Sequence, residues 1–173
     1  MQNSDKSRAW YLPNKMKGSV IREEEPAKFH RHTGEGGNLT NDDQPIENFG
    51  CGRCWPLAAD AAWEARGALK AANELIDESH FHVRILECGR CSQRFLSVFT
   101  ETIDWKDGDD SQYWKLLPLT ETEAADLSNR RESLTESKLG AMGPDRRCLR
   151  VDHPTGAGPT VFWARGIFVG LHD

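Results

Sequence analysis

Apolar residues recur at steps of three and four through Ala62, Ala65, Leu69, Ala72 and Ile76, which predicts a helix over residues 56–78. Pro56 falls in the first turn, where a missing N–H does no harm. The stripe is mostly alanine, so a sheet can approach it closely, with Trp63 and Leu75 widening the contact. After Ser79 the period drops to two. Residues 81–87 read as a strand, and residues 93–103 as a second, where adjacent Phe95, Leu96, Val98 and Phe99 imply cover on both faces. Asp107-Gly108 predicts a tight hairpin turn. A third strand over 112–117 completes an antiparallel meander. Thr120 and Glu123 have capping-box spacing, with Leu119 and Ala124 placed as a staple, and they open a helix over 121–138 that Gly140, Gly143 and Pro144 end. Residues 148–151 and 160–168, around a 154–159 loop, read as a terminal hairpin.

The first 49 residues lack this regularity. Glu23 to Pro26, Gly34 to Gly37 and Asn41 to Asp43 punctuate them, giving an irregular arm over 1–49 ahead of a domain over 50–173. Trp10, Tyr11, Leu12, Val20 and Ile21 would pin the arm as a short strand or hook. The fold class expected is α+β: an antiparallel sheet with a four-cysteine zinc ribbon and two helices.

Charge narrows the function classes. At 173 residues with a formal net charge of -5, the chain is large enough for one core and disfavoured as a general phosphate-backbone binder. No stretch approaches the roughly 20 apolar residues of a membrane span. The start, MQNSDKSRAWYLPNK, has no apolar leader region, so the expected location is cytoplasmic and the five cysteines are expected as thiols unless a metal holds them.

Two identical tetrapeptides, Cys51-Gly52-Arg53-Cys54 and Cys88-Gly89-Arg90-Cys91, carry the strongest chemical signal. A CxxC turn offers two sulfurs from one side, and two such turns close a tetrahedron around Zn. Arg53 and Arg90 are placed to offset the net negative charge of a four-thiolate site. Four cysteines leave no open position, so the metal is expected to be structural. The competing reading is a redox disulfide, because Cys51 and Cys54 run straight into the predicted helix. It leaves the second motif unexplained. Cys148 reads as a buried strand thiol.

The strand–CGRC–strand arrangement from Phe81 to Phe99 resembles zinc ribbons. Residues 88–120, CGRCSQRFLSVFTETIDWKDGDDSQYWKLLPLT, are similar to a segment of bacterial zinc-ribbon proteins of no assigned activity. The resemblance covers about a fifth of the chain. It implies a metal-stabilised hairpin with ligands Cys51, Cys54, Cys88 and Cys91, and no particular activity.

Glu101, Asp104, Asp107, Asp109 and Asp110 gather around the predicted turn with Trp105, Tyr113 and Trp114. Carboxylates attract a basic partner and aromatics supply rigid contact area, so these eight residues are the expected partner surface. The alternative is a solvated turn whose aromatics face the core. The loop is not an EF-hand, since Ile103 and Trp105 stand where oxygen ligands are needed. His30 with His32 and His80 with His82 sit at alternate positions that could chelate, or stand as ordinary strand histidines. Arg130 with Arg131, and Arg146, Arg147 and Arg150, are small basic groups. No HExxH, GxSxG or Walker loop occurs. The expectation is therefore a non-enzymatic, zinc-stabilised module that binds a basic protein, with a bacterial immunity protein neutralising a toxin as one form of it. A nucleic-acid-binding ribbon and a CxxC redox enzyme are the alternatives.

Overall fold

A computed structural model describes residues 49–130, 133–170 and 172. They belong to one compact unit running from Gln44 to Asp173. Residues 1–48 of the expected arm, His30 and His32 among them, lie outside the described residues, as does Arg131.

Six strands follow one another in chain order across a single antiparallel sheet: β1 (Lys70–Asp77), β2 (Phe81–Glu87), β3 (Arg94–Thr102), β4 (Ser111–Pro118), β5 (Arg147–His153) and β6 (Thr160–Arg165). The α+β class and the meander stand, and β5 and β6 form the terminal hairpin. Helix α1 (Ala59–Arg66) precedes the sheet, while α2 (Glu121–Asn129) and α3 (Glu136–Gly140) fill the connection between β4 and β5.

The helix expected over 56–78 is thus corrected to one of eight residues followed by a strand. Gly67 caps α1, and Lys70–Asp77 pairs with β2 from Lys70↔Glu87 to Asp77↔His82. Ala, Glu, Lys and Leu favour helix intrinsically, but the open edge of β2 supplies a ladder that outweighs this weak preference. Register shifts between Ala71 and Asn73 and between Glu74 and Ile76 break the alternation, which is why the segment carries no period of two. The second helix is also shorter than expected. Its capping box forms as anticipated, Thr120 accepting from the Glu123 N–H and Glu123 from the Thr120 N–H, but α2 ends at Asn129 and Thr135 caps the separate α3. The described residues therefore hold three short helices.

Alternation divides the sheet into two faces. One face presents Val83, Ile85, Leu96, Val98, Leu117 and Cys148, packed under Ala124 and Leu127 of α2, Leu139 of α3 and Ile167. The other presents Leu86, Phe95, Leu116 and Leu149, packed under Cys54, Trp55 and Ala62 of α1. β3 is consequently buried on both sides over Phe95, Leu96, Ser97 and Val98, as its adjacent apolar residues required. Beyond β6, Gly166 turns the chain (φ 64°), and the last described residues run back over the first face until His172 stacks on Phe81 at 4.1 Å. No helix among the described residues is long and apolar enough to cross a membrane.

Candidate metal centre

The first CxxC is a turn ahead of α1. Cys54 and Trp55 N–H groups donate to the Cys51 carbonyl at 3.0 and 2.9 Å, and the Cys51 N–H donates to Cys54 Sγ at 3.2 Å. The second CxxC joins β2 to β3. Its Cys88 N–H donates to the Gln93 carbonyl and its Ser92 N–H to the Cys88 carbonyl, both at 2.9 Å. Ser92 takes φ 57°, the left-handed conformation that a glycine after the knuckle would adopt at less cost.

The sheet brings these distant turns together. All four sulfurs lie within 4.8 Å of one another, with Cys51 to Cys54 and Cys54 to Cys91 each at 3.7 Å. Sulfurs about 2.3 Å from one tetrahedral ion stand about 3.8 Å apart, so the four fit a single four-thiolate metal. They are far from the roughly 2.0 Å of a disulfide, and every described cysteine is a free thiol. Among the described residues this is the sole cluster of His, Cys, Asp or Glu able to hold an ion.

Backbone amides already favour sulfur charge. The Arg53 and Cys54 N–H groups lower the Cys51 thiol to about 6. For Cys88, burial pushes upward, but the N–H groups of Arg90 and Cys91 bring it below the usual thiol range. Burial raises Cys54 and Cys91, the latter also through the thiols of Cys88 and Cys51. Each knuckle therefore holds one sulfur toward thiolate before a cation arrives. Arg53 and Arg90 contribute through their backbone N–H groups, while the residues themselves are exposed.

Three supports escaped the sequence reading. Gly50 (φ 73°) passes so close to the knuckle that a Cβ there would lie 2.9 Å from both Cys54 Sγ and Trp55 Cβ. Gln93 bridges the two turns: its Oε1 accepts from the Gly50 N–H at 3.1 Å, its Nε2 donates to the Leu119 carbonyl at 2.8 Å, and its own carbonyl holds Cys88. Trp55 anchors the first turn on the sheet, 5.2 Å from the Phe95 ring and 4.7 Å from Trp163, with Arg147 over the Trp163 ring at 4.1 Å. The glycine preceding the first cysteine was the one legible hint.

Cys51 and Cys54 do not head a helix, because α1 starts at Ala59. Cys148 is fully buried in β5, and burial pushes its thiol up to about 11, so it is an inert strand thiol as expected. His80 and His82 each face a carboxylate, Glu101 at 3.0 Å and Asp77 at 2.7 Å, and do not form a chelating pair.

The expected partner surface is placed as follows. Asp107-Gly108 is not a two-residue turn. Residues 103–110 form an eight-residue loop, in which Gly108 has φ 70° and Asp107 does not enter the left-handed region. Asp104 Oδ1 accepts from the Lys106 and Asp107 N–H groups at 2.9 and 3.1 Å, and Asp110 Oδ1 from the Asp104 N–H at 2.8 Å. Thr155 donates its hydroxyl to the Asp109 carbonyl, and the Gly156 N–H donates to the Asp109 carboxylate. These bonds tie the loop to the β5–β6 connection and leave Trp105 88% exposed. Glu101 sits half-buried between His80 and Gln112. Tyr113 and Trp114 are consecutive strand residues and point to opposite faces, Tyr113 pairing across with Thr100 and Trp114 with Phe99. Trp114 packs between Trp63 and Phe99 at 5.6 and 5.1 Å. The fold thus brings Asp104, Trp105, Asp107, Asp109 and Asp110 together on one loop and separates Tyr113 and Trp114 from them.

The basic groups do not gather. Arg146 pairs bidentately with Glu123 at 2.8 and 3.0 Å, Arg147 lies over Trp163, and Arg150 faces the opposite side of the sheet beside Lys115. Compared with family models, with curated proteins and with solved structures, the chain matches none.

Proposed function

We propose that this protein is a zinc-stabilised, non-enzymatic binding module whose acidic 103–110 loop engages a basic protein. The observation that carries this reading is Trp105. A tryptophan 88% exposed on a loop braced by hydrogen bonds of Asp104, Asp109 and Asp110 offers contact area whose ordering is partly met before docking. Asp107 and Asp109 beside it add the charge that steers a cationic partner. The all-sulfur donor set supports Zn as the ion and leaves it no open position, which is the arrangement of a structural site. Inhibition of a basic toxin by an immunity protein is the specific form of this function we favour, given the acidic balance and the missing catalytic motifs.

Metal analysis of the purified chain, with capture of partners on immobilised full chain, tests the proposal. One zinc per chain is expected. The captured species is expected to be a discrete basic protein, lost with Trp105→Ala or Asp107→Lys at unchanged zinc content and melting temperature. Iron in place of zinc removes the metal assignment. Capture of nucleic acid alone, with steep salt dependence, replaces protein binding by the nucleic-acid reading.

A further inference from the structure

The sheet face away from the cysteines buries a charge that the metal centre and the acidic loop leave unexplained. Lys115 lies in the middle of β4 and is 4% exposed, directly across from Val98 on β3 and Arg150 on β5. Its ammonium donates to Thr100 Oγ1 at 3.1 Å and lies 5.3 Å over the Tyr113 ring, which makes one hydrogen bond for three donors. Arg150, its cross-strand neighbour on the same face, has a buried Nε with no hydrogen-bond partner. Among the described residues neither side chain forms an ion pair with a carboxylate, and Asp152, one alternation further along β5, acts on Lys115 only at longer range. Lys115 is out of water and Arg150 half-buried with its Nε orphaned, and neither has a paired carboxylate among the described residues, an arrangement that a bound anion would compensate.

One atom's space is left beside Lys115 and Thr100. Gly170 crosses over Lys115, and a carbon built at its Cβ position would stand 4.0 Å from both Lys115 Nζ and Thr100 Oγ1 and 3.9 Å from the Phe168 ring. That spot faces two donors and one aromatic edge.

We propose that Lys115, Thr100 and Arg150 form a binding site for a small oxyanion, a phosphate or a carboxylate, held beneath Phe168 and Gly170. The hydroxyl and ammonium would bind one oxygen and the guanidinium another, a charge-assisted arrangement suited to either anion. The site is separate from the cysteine tetrahedron, which packs with the opposite face of the sheet.

Calorimetric titration of the zinc-loaded full chain with inorganic phosphate, with acetate, and with chloride at matched ionic strength tests it. Saturable binding of phosphate or acetate, with none for chloride, is expected. The tighter of the two identifies the ligand source. Lys115→Met and Gly170→Val, the second filling the space while keeping both cationic side chains, should each weaken that binding at least about tenfold while zinc content stays constant. An adventitious ion only would show as binding that both variants retain. That result, or no saturable binding of either anion by the native chain, overturns the site, and the native titration decides even where a variant fails to fold. Neither outcome bears on partner capture through Trp105.

Discussion

At the scale of single residues, two positions control the molecule out of proportion to their size. Gly50 has a conformation L side chains avoid and a neighbour 2.9 Å from any added Cβ. Gly50→Ala should therefore displace Cys54 as well as add roughly 1–2 kcal/mol of backbone strain. Faster metal loss to a chromogenic chelator is the expected readout, and an unchanged rate would separate Gly50 from the site. Lys115 is the second. Burial lowers its ammonium from 10.5 to about 8. The folded chain therefore binds fewer protons than the unfolded one between these values, and stability rises as pH climbs from about 8 toward 10.5. Below pH 8 the buried charge is a liability of at most about 3 kcal/mol, at about 1.4 kcal/mol per pH unit. Lys115→Met should raise stability in anion-free buffer at pH 7, and the gain should shrink by pH 10. Urea titrations at the two pH values check both the sign and the trend.

At the scale of elements, α2 and the knuckles depend on different chemistry. The Thr120–Glu123 box and the Glu123–Arg146 pair fix the start of α2. For Glu123, burial works against ionisation, but Arg146 and the Thr120 N–H hold its carboxyl below the usual range. This support is present above the unfolded carboxylate pKa and is lost as acid protonates the group. Thr120→Ala should cost about 1 kcal/mol in denaturant titration, and a change indistinguishable from zero would make the box incidental. The knuckles should depend instead on a metal held by the four sulfurs, which would close the turn that carries Cys54 and Trp55 into the core. The apolar layer between the sheet and α2 contains no ligand. Chelation should accordingly abolish hydrogen-exchange protection around Cys54, Trp55 and Cys88 first and leave the middle of β3 and β4 protected. Simultaneous loss everywhere would mean the two layers unfold as one.

At the scale of the whole molecule, six strands in chain order make every sheet contact a neighbour contact, and the unit from Gln44 to Asp173 contains both apolar layers and all four sulfurs. A chain beginning at Gln44 should bind the same metal equivalent and melt cooperatively at the temperature of the full chain. A lower or broadened transition would show that the preceding residues complete the fold. The acidic loop belongs to this scale as well. It is held by the β5–β6 connection, more than 40 residues away, and the sequence could place neither the anchor nor the exposure of Trp105.

What the sequence determined alone was whatever is written in short-range spacing. Two CxxC turns picked out the four cysteines that the fold gathers, Thr120 and Glu123 named a helix start, and the adjacent apolar residues of β3 announced burial on both sides. Tertiary structure decided the rest. Lys70–Asp77 reads as helix because intrinsic preference is weak, and the unpaired edge that turns it into a strand is supplied by β2. Tyr113 and Trp114 look like one surface because they are neighbours in sequence, yet the pleat sends them apart. Lys115 and Arg150 are 35 positions apart in the chain and adjacent only because β4 pairs with β5. Spacing along a chain records local geometry, whereas which groups share a face, a charge or an ion depends on strand register.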